Sequence, residues 1–284
     1  MSISAIVVNH NAGDSLLACV TSLVDSGVES IVIVDNDSRD LSVASVERVH
    51  PTLRVIRTGW NLGYGSAVNI GRRELAGEYL FICNPDLLID PSCPKLLGEY
   101  LDHHPDAGVV GPRIFETNGE VYPSARAFPS ITDALGHALL SMFLPDNRFS
   151  RRYKFAAVDA THATAVDWVS GACLLARARA FDEVAGFDER YFMYVEDLDL
   201  CWRLRQRNWL CAYLPAAHVI HSGGLSSGQH PYRMLVAHHV STWRFARRSL
   251  TGVRSSMLPI VFVGIVARLV IALVRQLSRR SWFA

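Results

Sequence analysis

The sequence predicts an α/β fold, with a mixed, mostly parallel central sheet flanked by helices. Two observations carry that expectation. Short apolar runs alternate with amphipathic stretches as far as Asp86, the pattern of parallel strands joined by crossover helices. Polar clusters also fall at the ends of three of those runs, where open α/β sheets gather their ligands. At 284 residues, half of them hydrophobic, the chain can fill one large domain with an appendage, or two small domains.

The elements follow in order. ISAIVVN (3–9) reads as a first strand, a helix follows from Asp14 to Ser26, and SIVIVDN (30–36) and LRVIRT (53–58) read as strands. A helix from about Gly65 to Leu75 leads into the strand YLFICNPD (79–86). In the second half VVGPRIF (109–115) and GEVYPS (119–124) suggest hairpin-like strands, before a polar segment from about Pro145 to Ala165. VDWVSGACLLARARAF (166–181) reads as a strand running into a short helix. FMYVEDLDLCWRLRQRNW (192–209) reads as a helix burying Leu198, Leu200, Cys201, Trp202 and Leu204. Asp197 is a candidate N-cap there, and Asp199 with Arg203 forms an i,i+4 pair. CAYLPAAHVIH (211–221) is a further strand, ending in HSGGLSSG.

The tail MLPIVFVGIVARLVIALV (257–274) contains Pro259 and Arg268 and falls short of the roughly 20 residues a spanning helix needs. Arg268, Arg275 and Arg279 share one helical face, which predicts a segment lying in a membrane interface. A docking or dimerisation helix with a basic edge is the alternative.

Net charge is +1, but its distribution is lopsided. After Asp199 there is no acidic residue, while twelve arginines follow, which leaves sixteen basic residues against all 27 acids in the preceding part. A basic end suits lipid headgroups or a phosphorylated substrate. Nucleic acid is excluded as a partner, since no reading motif accompanies the arginines. Six cysteines with no Cys-x-x-Cys pair suit a reducing compartment. MSISAIVVNHN lacks the basic start of a signal peptide, so the expected location is the cytoplasm.

Four clusters carry chemistry. VDNDS sets Asp35, Asn36, Asp37 and Ser38 at a strand end, where a short carboxylate can accept from a nucleobase N–H or a ribose hydroxyl; an Asx-rich turn would use the same residues. NLGYGSAVNIG (61–71) brings Asn61, Gly63, Gly65 and Gly71 to a helix entrance suited to phosphate or sugar oxygens, without the spacing of a dinucleotide fold. ICNPD ends with Asn84 and Asp86, a plausible hard-cation site that draws further ligands from substrate phosphates, or else a plain loop acid. His221 could add an imidazole ligand, with the following glycine and serine N–H groups on a diphosphate, or could be structural.

The ordered set VVNHN, VDNDS, NLGYGSAVN, NPD, SGACLLARARAFDEVAGFDERYFMYVEDLDLCWRLR and HVIHSGGLSS resembles family 2 glycosyltransferases of the GT-A fold, over about residues 3–250. Within that family, WVSGACLL with GFDERYFMY and EDLDLCWR looks most like bacterial rhamnosyltransferases that use dTDP-rhamnose, including those acting on lipid-linked cell-wall intermediates. The resemblance implies a domain over 1–250, with a nucleotide-binding half (about 1–115) and an acceptor-binding half (about 116–250), and a membrane-associating tail over 251–284. It implies Asn9, Asp35, Asn61, Gly63, Asn84 and Asp86 at the nucleotide, with Asn84 standing where the family's Asp-x-Asp has its first aspartate. It implies Asp86 and His221 on a divalent cation (Mg2+ or Mn2+), Asp197 as catalytic base, and Glu196, Trp168, Gly171 and Ala172 on the acceptor side. Asp199 is left to structure.

The implied reaction is an inverting transfer from a nucleotide-sugar donor to a lipid-linked or polysaccharide acceptor. One in-line displacement needs a base and a counter-charge for the departing diphosphate, and no covalent nucleophile. The implied location is peripheral, on the inner face of the cell membrane. A nucleotidyltransferase or a silent sugar-nucleotide-binding protein are the competing readings; the first lacks a basic glycine-rich turn after the first strand, and the intact Asp86, Asp197 and His221 argue against the second.

Overall fold

A computed structural model describes residues 1–128, 161–222 and 231–281. Most of the expected polar segment 145–165, and the glycines and serines of SGGLSSG after Ser222, lie outside the described residues.

The first half runs β1 (Ile3–Asn9), α1 (Asp14–Asp25), β2 (Ser30–Asp35), α2 (Ser42–Val49), β3 (Arg54–Arg57), α3 (Tyr64–Arg72), β4 (Tyr79–Cys83), β5 (Leu87–Ile89), α4 (Cys93–His103) and β6 (Ala107–Glu116). The second half adds β7 (Val121–Tyr122), β8 (Ala125–Arg126), β9 (Thr164–Val166), β10 (Trp168–Val169), β11 (Cys173–Arg177), α5 (Ala178–Glu183), α6 (Glu196–Gln206), β12 (Leu210–His221), α7 (Pro231–Ser249) and α8 (Leu258–Ser281).

The main sheet has the order β3-β2-β1-β4-β11-β6-β12-β5, with β7 beside β6 and β9 beside β12. Strands β1 to β4 are mutually parallel; β11 enters antiparallel between β4 and β6, and β12 runs parallel to β6. β1 and β4 are buried along their whole length, as expected of strands covered on both faces. The period of two sorts β1 cleanly. Ala5 and Val7 join the core beneath α1 and α4, while Ile6 and Val8 join the opposite core with Val68, Phe181 and Leu200.

Two expectations need correction. Asp197 is not the cap of α6. The helix starts one residue earlier, at Glu196, because Tyr194 and Val195 both adopt left-handed conformations (φ 66° and 70°) that turn the chain into it. The tail is also longer as a helix than its apolar run suggests. α8 has 24 residues, about 36 Å at the usual rise, and Gly252–Leu277, with mean hydropathy 2.7, is long and apolar enough to cross a membrane by length and composition. Pro259 falls at the second helical position, where its missing N–H costs nothing, and one Arg268 does not interrupt the helix.

α6 and α7 are tied through one buried acid. Asp199 is fully buried and accepts from Tyr191 Oη (3.0 Å), from Arg203 Nε (2.7 Å) and from Arg248 Nη1 on both oxygens (2.7 and 2.8 Å). Arg248 also reaches Asp188 at 2.8 Å, and Ser241 donates to the Met193 carbonyl at 3.0 Å. These bonds hold α7 across the mouth of the second half.

Candidate active site

A cavity of about 530 Å3 opens beyond the carboxyl ends of β1, β2 and β4, and its lining comes from three directions.

The first wall is the VDNDS turn and its neighbours. Asn9 is fully buried, with Nδ2 within hydrogen-bonding reach of Asp35 Oδ1 (3.1 Å), Ser38 Oγ (2.9 Å) and Ser42 Oγ (2.9 Å). Asn9 and Asp35 therefore stand behind the wall, and His10, Asn11, Asn36 and Asp37 line it. Asn36 joins two motifs that are far apart in sequence: its Nδ2 donates to Asn61 Oδ1 (3.0 Å) and the Gly63 carbonyl (3.2 Å), and its Oδ1 accepts from Leu62 N–H (2.9 Å). Asn61 lines the cavity. Gly63 holds φ +89°, and any Cβ there would collide with the Phe192 carbonyl, which accepts the Tyr64 N–H at 3.1 Å. The start of α3 is thus pressed against the approach to α6.

The second wall holds Asn84, Asp86 and His221. The pairing of β12 with β5 and β6 sets His221 opposite Leu87 and Glu116, so sheet register brings together residues far apart in the chain. His221 Nε2 lies 3.2 Å from Asp86 Oδ2, and Nδ1 lies 3.6 Å from Glu116 Oε2. The hydrogen bond to Asp86, against the opposing effect of burial and with the two carboxylate charges, raises the imidazole above its ordinary range. Asp86 is clamped from behind by Ser222, whose N–H and Oγ donate to its carbonyl at 2.9 and 2.8 Å. Its Oδ1 is buried and finds no hydrogen-bond partner among the described residues. A buried acceptor with free lone pairs beside an imidazole fits a hard cation. Among the described residues no three His, Cys, Asp or Glu side chains form a ready metal cluster, so such a cation would complete its shell from substrate oxygens.

The third direction is the rim of Phe192, Met193, Tyr194, Arg233 and Met234; the acid pair Glu196 and Asp197 is not part of the lining and lies behind it. Asp197 is half-buried behind this rim. Its Oδ2 accepts from Gly171 N–H (2.9 Å) and its Oδ1 from Leu198 N–H (2.8 Å), while Tyr64 Oη donates to the Gly171 carbonyl at 2.6 Å. Gly171 keeps the contact close: a Cβ there would come 3.2 Å from Asp197 Cβ and would press on that side chain. Burial raises the Asp197 carboxyl, against the two N–H bonds and the charge of Arg126, which favour its ionised form. Glu196 has less support: it is buried, its Oε2 has no partner among the described residues, and burial with the neighbouring Asp197 charge, against a bond from its own backbone N–H, pushes it up to about 8. Burial thus raises both carboxyls of this adjacent pair, so the pair takes up a proton more readily than two free carboxyls would.

Of the acceptor-side residues, Ala172 lines the cavity and its carbonyl accepts the Asn84 N–H at 2.8 Å, linking the second and third walls. Trp168 sits further back on β10, its indole N–H donating to the Ala127 carbonyl at 3.2 Å and its ring 5.2 Å beneath the Arg126 guanidinium. Sequence reasoning missed Tyr64, Glu116, Tyr122, Arg126 and Arg233. Only Tyr64 lay inside a recognised motif; the others reach the site through sheet register or through α7, which leave no local signal.

Residues 4–180 match the sequence model of glycosyl transferase family 2. The N-acetylglucosaminyl-diphospho-decaprenol L-rhamnosyltransferase of Mycobacterium tuberculosis is 38% identical over 271 residues, covering 92% of this chain and 88% of that protein. Rhamnosyltransferase WbbL of Escherichia coli is 25% identical over 251 residues, 86% of this chain and 92% of its own. Among solved structures, GalNAc-T7 with UDP, GalNAc and Mn2+ superposes with TM-score 0.59 at 15% identity, covering 79% of this chain and 44% of that one. TarS of S. aureus superposes with TM-score 0.55 at 17% identity, covering 93% and 43%. These two likenesses establish the GT-A-like fold alone.

Proposed function

The chain belongs to glycosyl transferase family 2 and is a glycosyltransferase, and from that premise we propose that it moves L-rhamnose from dTDP-rhamnose to a hydroxyl of a polyprenyl-diphosphate-linked N-acetylglucosamine, with inversion, in cell-envelope glycan synthesis. The observation that carries the reaction is the convergence on one cavity of a polar turn and a buried acid with a free oxygen beside a histidine, with a pair of acids behind the cavity rim whose carboxyls are both raised by burial. The sugar and acceptor are carried over from the Mycobacterium tuberculosis relative, whose name specifies both.

In this reading Asn36, Asp37 and Asn61 meet the nucleotide, with Asn9 and Asp35 fixing the turn from behind and Gly63 holding the loop. Asp86 and His221 hold a divalent cation, Mg2+ or Mn2+, which when bound neutralises charge on the donor diphosphate. Asn84 meets the donor beside it. Asp197 takes the proton of the acceptor hydroxyl as that oxygen bonds to the anomeric carbon; the bond from that carbon to the diphosphate oxygen breaks, and the diphosphate leaves with the electron pair. Glu196 in its protonated form donates to the acceptor, and Gly171 and Ala172 shape its seat, with Trp168 supporting Arg126 behind them. The enzyme works on the inner face of the cell membrane, held there by its basic C-terminal part.

The test is a donor panel, dTDP-rhamnose against UDP-sugars, with GlcNAc-diphosphate-lipid as acceptor and with or without EDTA. Release of dTDP from dTDP-rhamnose, abolished by EDTA and restored by Mg2+ or Mn2+, is expected. Turnover of UDP-sugars alone would overturn the donor assignment, and unchanged rates in EDTA would overturn the cation.

A further inference from the structure

α8 leaves one long face uncovered. Ile260, Val263, Val266, Val270, Val274 and Leu277 are all exposed, and their spacings of three and four residues place them in one stripe. The other side of α8 packs along α7. The Phe262 and Trp243 rings meet edge to face at 5.0 Å, and Arg268 lies close enough to His238 that its charge, after burial and His239, holds that imidazole down to about 4. The two pairs run antiparallel. The same register carries the second half of α8 back along the end of α7 that delivers Arg233 and Met234 to the cavity.

Length alone would let α8 cross a bilayer, but its partner helix forbids it. α7 is fastened to the domain by Arg248 on Asp199 and Asp188 and by Ser241 on Met193. A spanning α8 would either abandon α7 or drag His238, His239, Arg244 and Arg247 among lipid chains, where charge is strongly disfavoured. Lying flat demands neither. The surroundings also suit an anionic surface: the sequence holds no acid after Asp199, and Arg254 precedes the stripe while Arg275, Arg279 and Arg280 close it.

We propose that α8 lies in the headgroup plane of an anionic bilayer, with the Ile260–Leu277 stripe among the acyl chains and α7 riding on its protein side. The cavity end of α7 is thereby held at the membrane surface, where a lipid-linked acceptor arrives. That last clause rests on the acceptor assigned above; the docking itself does not.

The experiment is flotation of the full chain with vesicles of phosphatidylcholine containing phosphatidylglycerol, against pure phosphatidylcholine. The comparison is with a Val263→Glu, Val270→Glu double variant, whose exposed positions leave the fold intact. The wild type floats with the anionic vesicles, and the variant loses at least about tenfold in partition. Turnover of a short-chain, water-soluble acceptor stays equal between the two, while turnover of acceptor embedded in vesicles falls in the variant. Equal flotation of the two proteins overturns the proposal. So does protection of a C-terminal tag inside sealed vesicles, which would make α8 a spanning helix. A lipid-free dimer that the variant converts to monomer, with flotation unaffected, assigns the stripe to a second copy. Flotation needs no turnover, so an inactive donor panel would sink the rhamnose reading and leave this one standing.

Discussion

The first turn of α6 carries three acids that meet opposite fates. Asp199 is fully buried and surrounded by cations and a hydroxyl, every oxygen engaged. Glu196 and Asp197, three and two residues earlier, are given backbone N–H groups, a more distant Arg126 and an oxygen with no partner among the described residues. The contrast separates an acid that holds the fold from acids that, in the proposed reaction, handle a proton. A carboxylate satisfied as fully as Asp199 has no lone pair to offer a substrate, whereas an under-satisfied pair stays basic enough to take one.

Breaking the working side should have the largest effect. Asp197→Asn should lower turnover by about 10^2- to 10^4-fold while nucleotide binding stays unchanged, with a stability loss of about 1 kcal/mol because the amide nitrogen faces one of two backbone N–H donors. Steady-state rates beside isothermal titration of dTDP check it, and a fully active variant removes Asp197 as the base. On the structural side, Asp199→Ala strands Arg203 and Arg248 beside an empty pocket and should cost about 3–5 kcal/mol of unfolding free energy. Urea denaturation reads this; a loss under about 1 kcal/mol would mean the cations find water instead.

A third change lies between the two kinds of acid. Glu116 faces the back of His221, so Glu116→Gln should weaken cation affinity by about 10- to 100-fold without abolishing turnover at saturating Mn2+. Activity against Mn2+ concentration is the readout, and an unchanged midpoint would make Glu116 a bystander.

The smallest effect sharpens the contrast through pH. The Glu196 carboxyl is raised from the ordinary value of 4.5 to about 8, so the folded state binds a proton that the unfolded chain has released over that interval. The stability this supplies is complete below about 4.5 and is lost as pH rises through about 8. Melting temperatures from pH 5 to 9 should therefore decline less steeply for Glu196→Gln than for the wild type. Parallel curves would show that Glu196 ionises freely.

The two halves of the molecule were unequally legible in the sequence. β1, β2 and β4 announced themselves because strands buried on both faces must be continuous apolar runs, and ISAIVVN matches its strand residue for residue. Asp35, Asp86 and His221 were visible because strand ends are where such a sheet collects polar groups. α2 and α4 were passed over, since SVASVERV and CPKLLGEYLDH bury only part of each turn and carry no strong cap. The lining role of Asn36, rather than its neighbour Asp35, depends on which way one turn residue points. Glu116 and Arg248 were beyond local reading altogether: one is set by the β6–β12 register, the other by a contact 49 residues away. The tail was misjudged for a simpler reason, since an apolar run was counted between its charges while a helix continues through them.

The bond between Asp199 and Arg248 also orders events during synthesis. The strands that make the polar turn and the Asp86 strand end are synthesised before the strands β11 and β12 that complete the same sheet. Asp199 has Arg203 four residues on, but its second cation, Arg248, is missing until 49 further residues have emerged. The strand-end turns after β1, β2 and β4 are therefore made well before α6 gains Arg248, and the next helix to appear after Arg248 is the apolar α8. The tie that fastens α6 to α7 and the apolar helix α8 are thus made within a few dozen residues of each other.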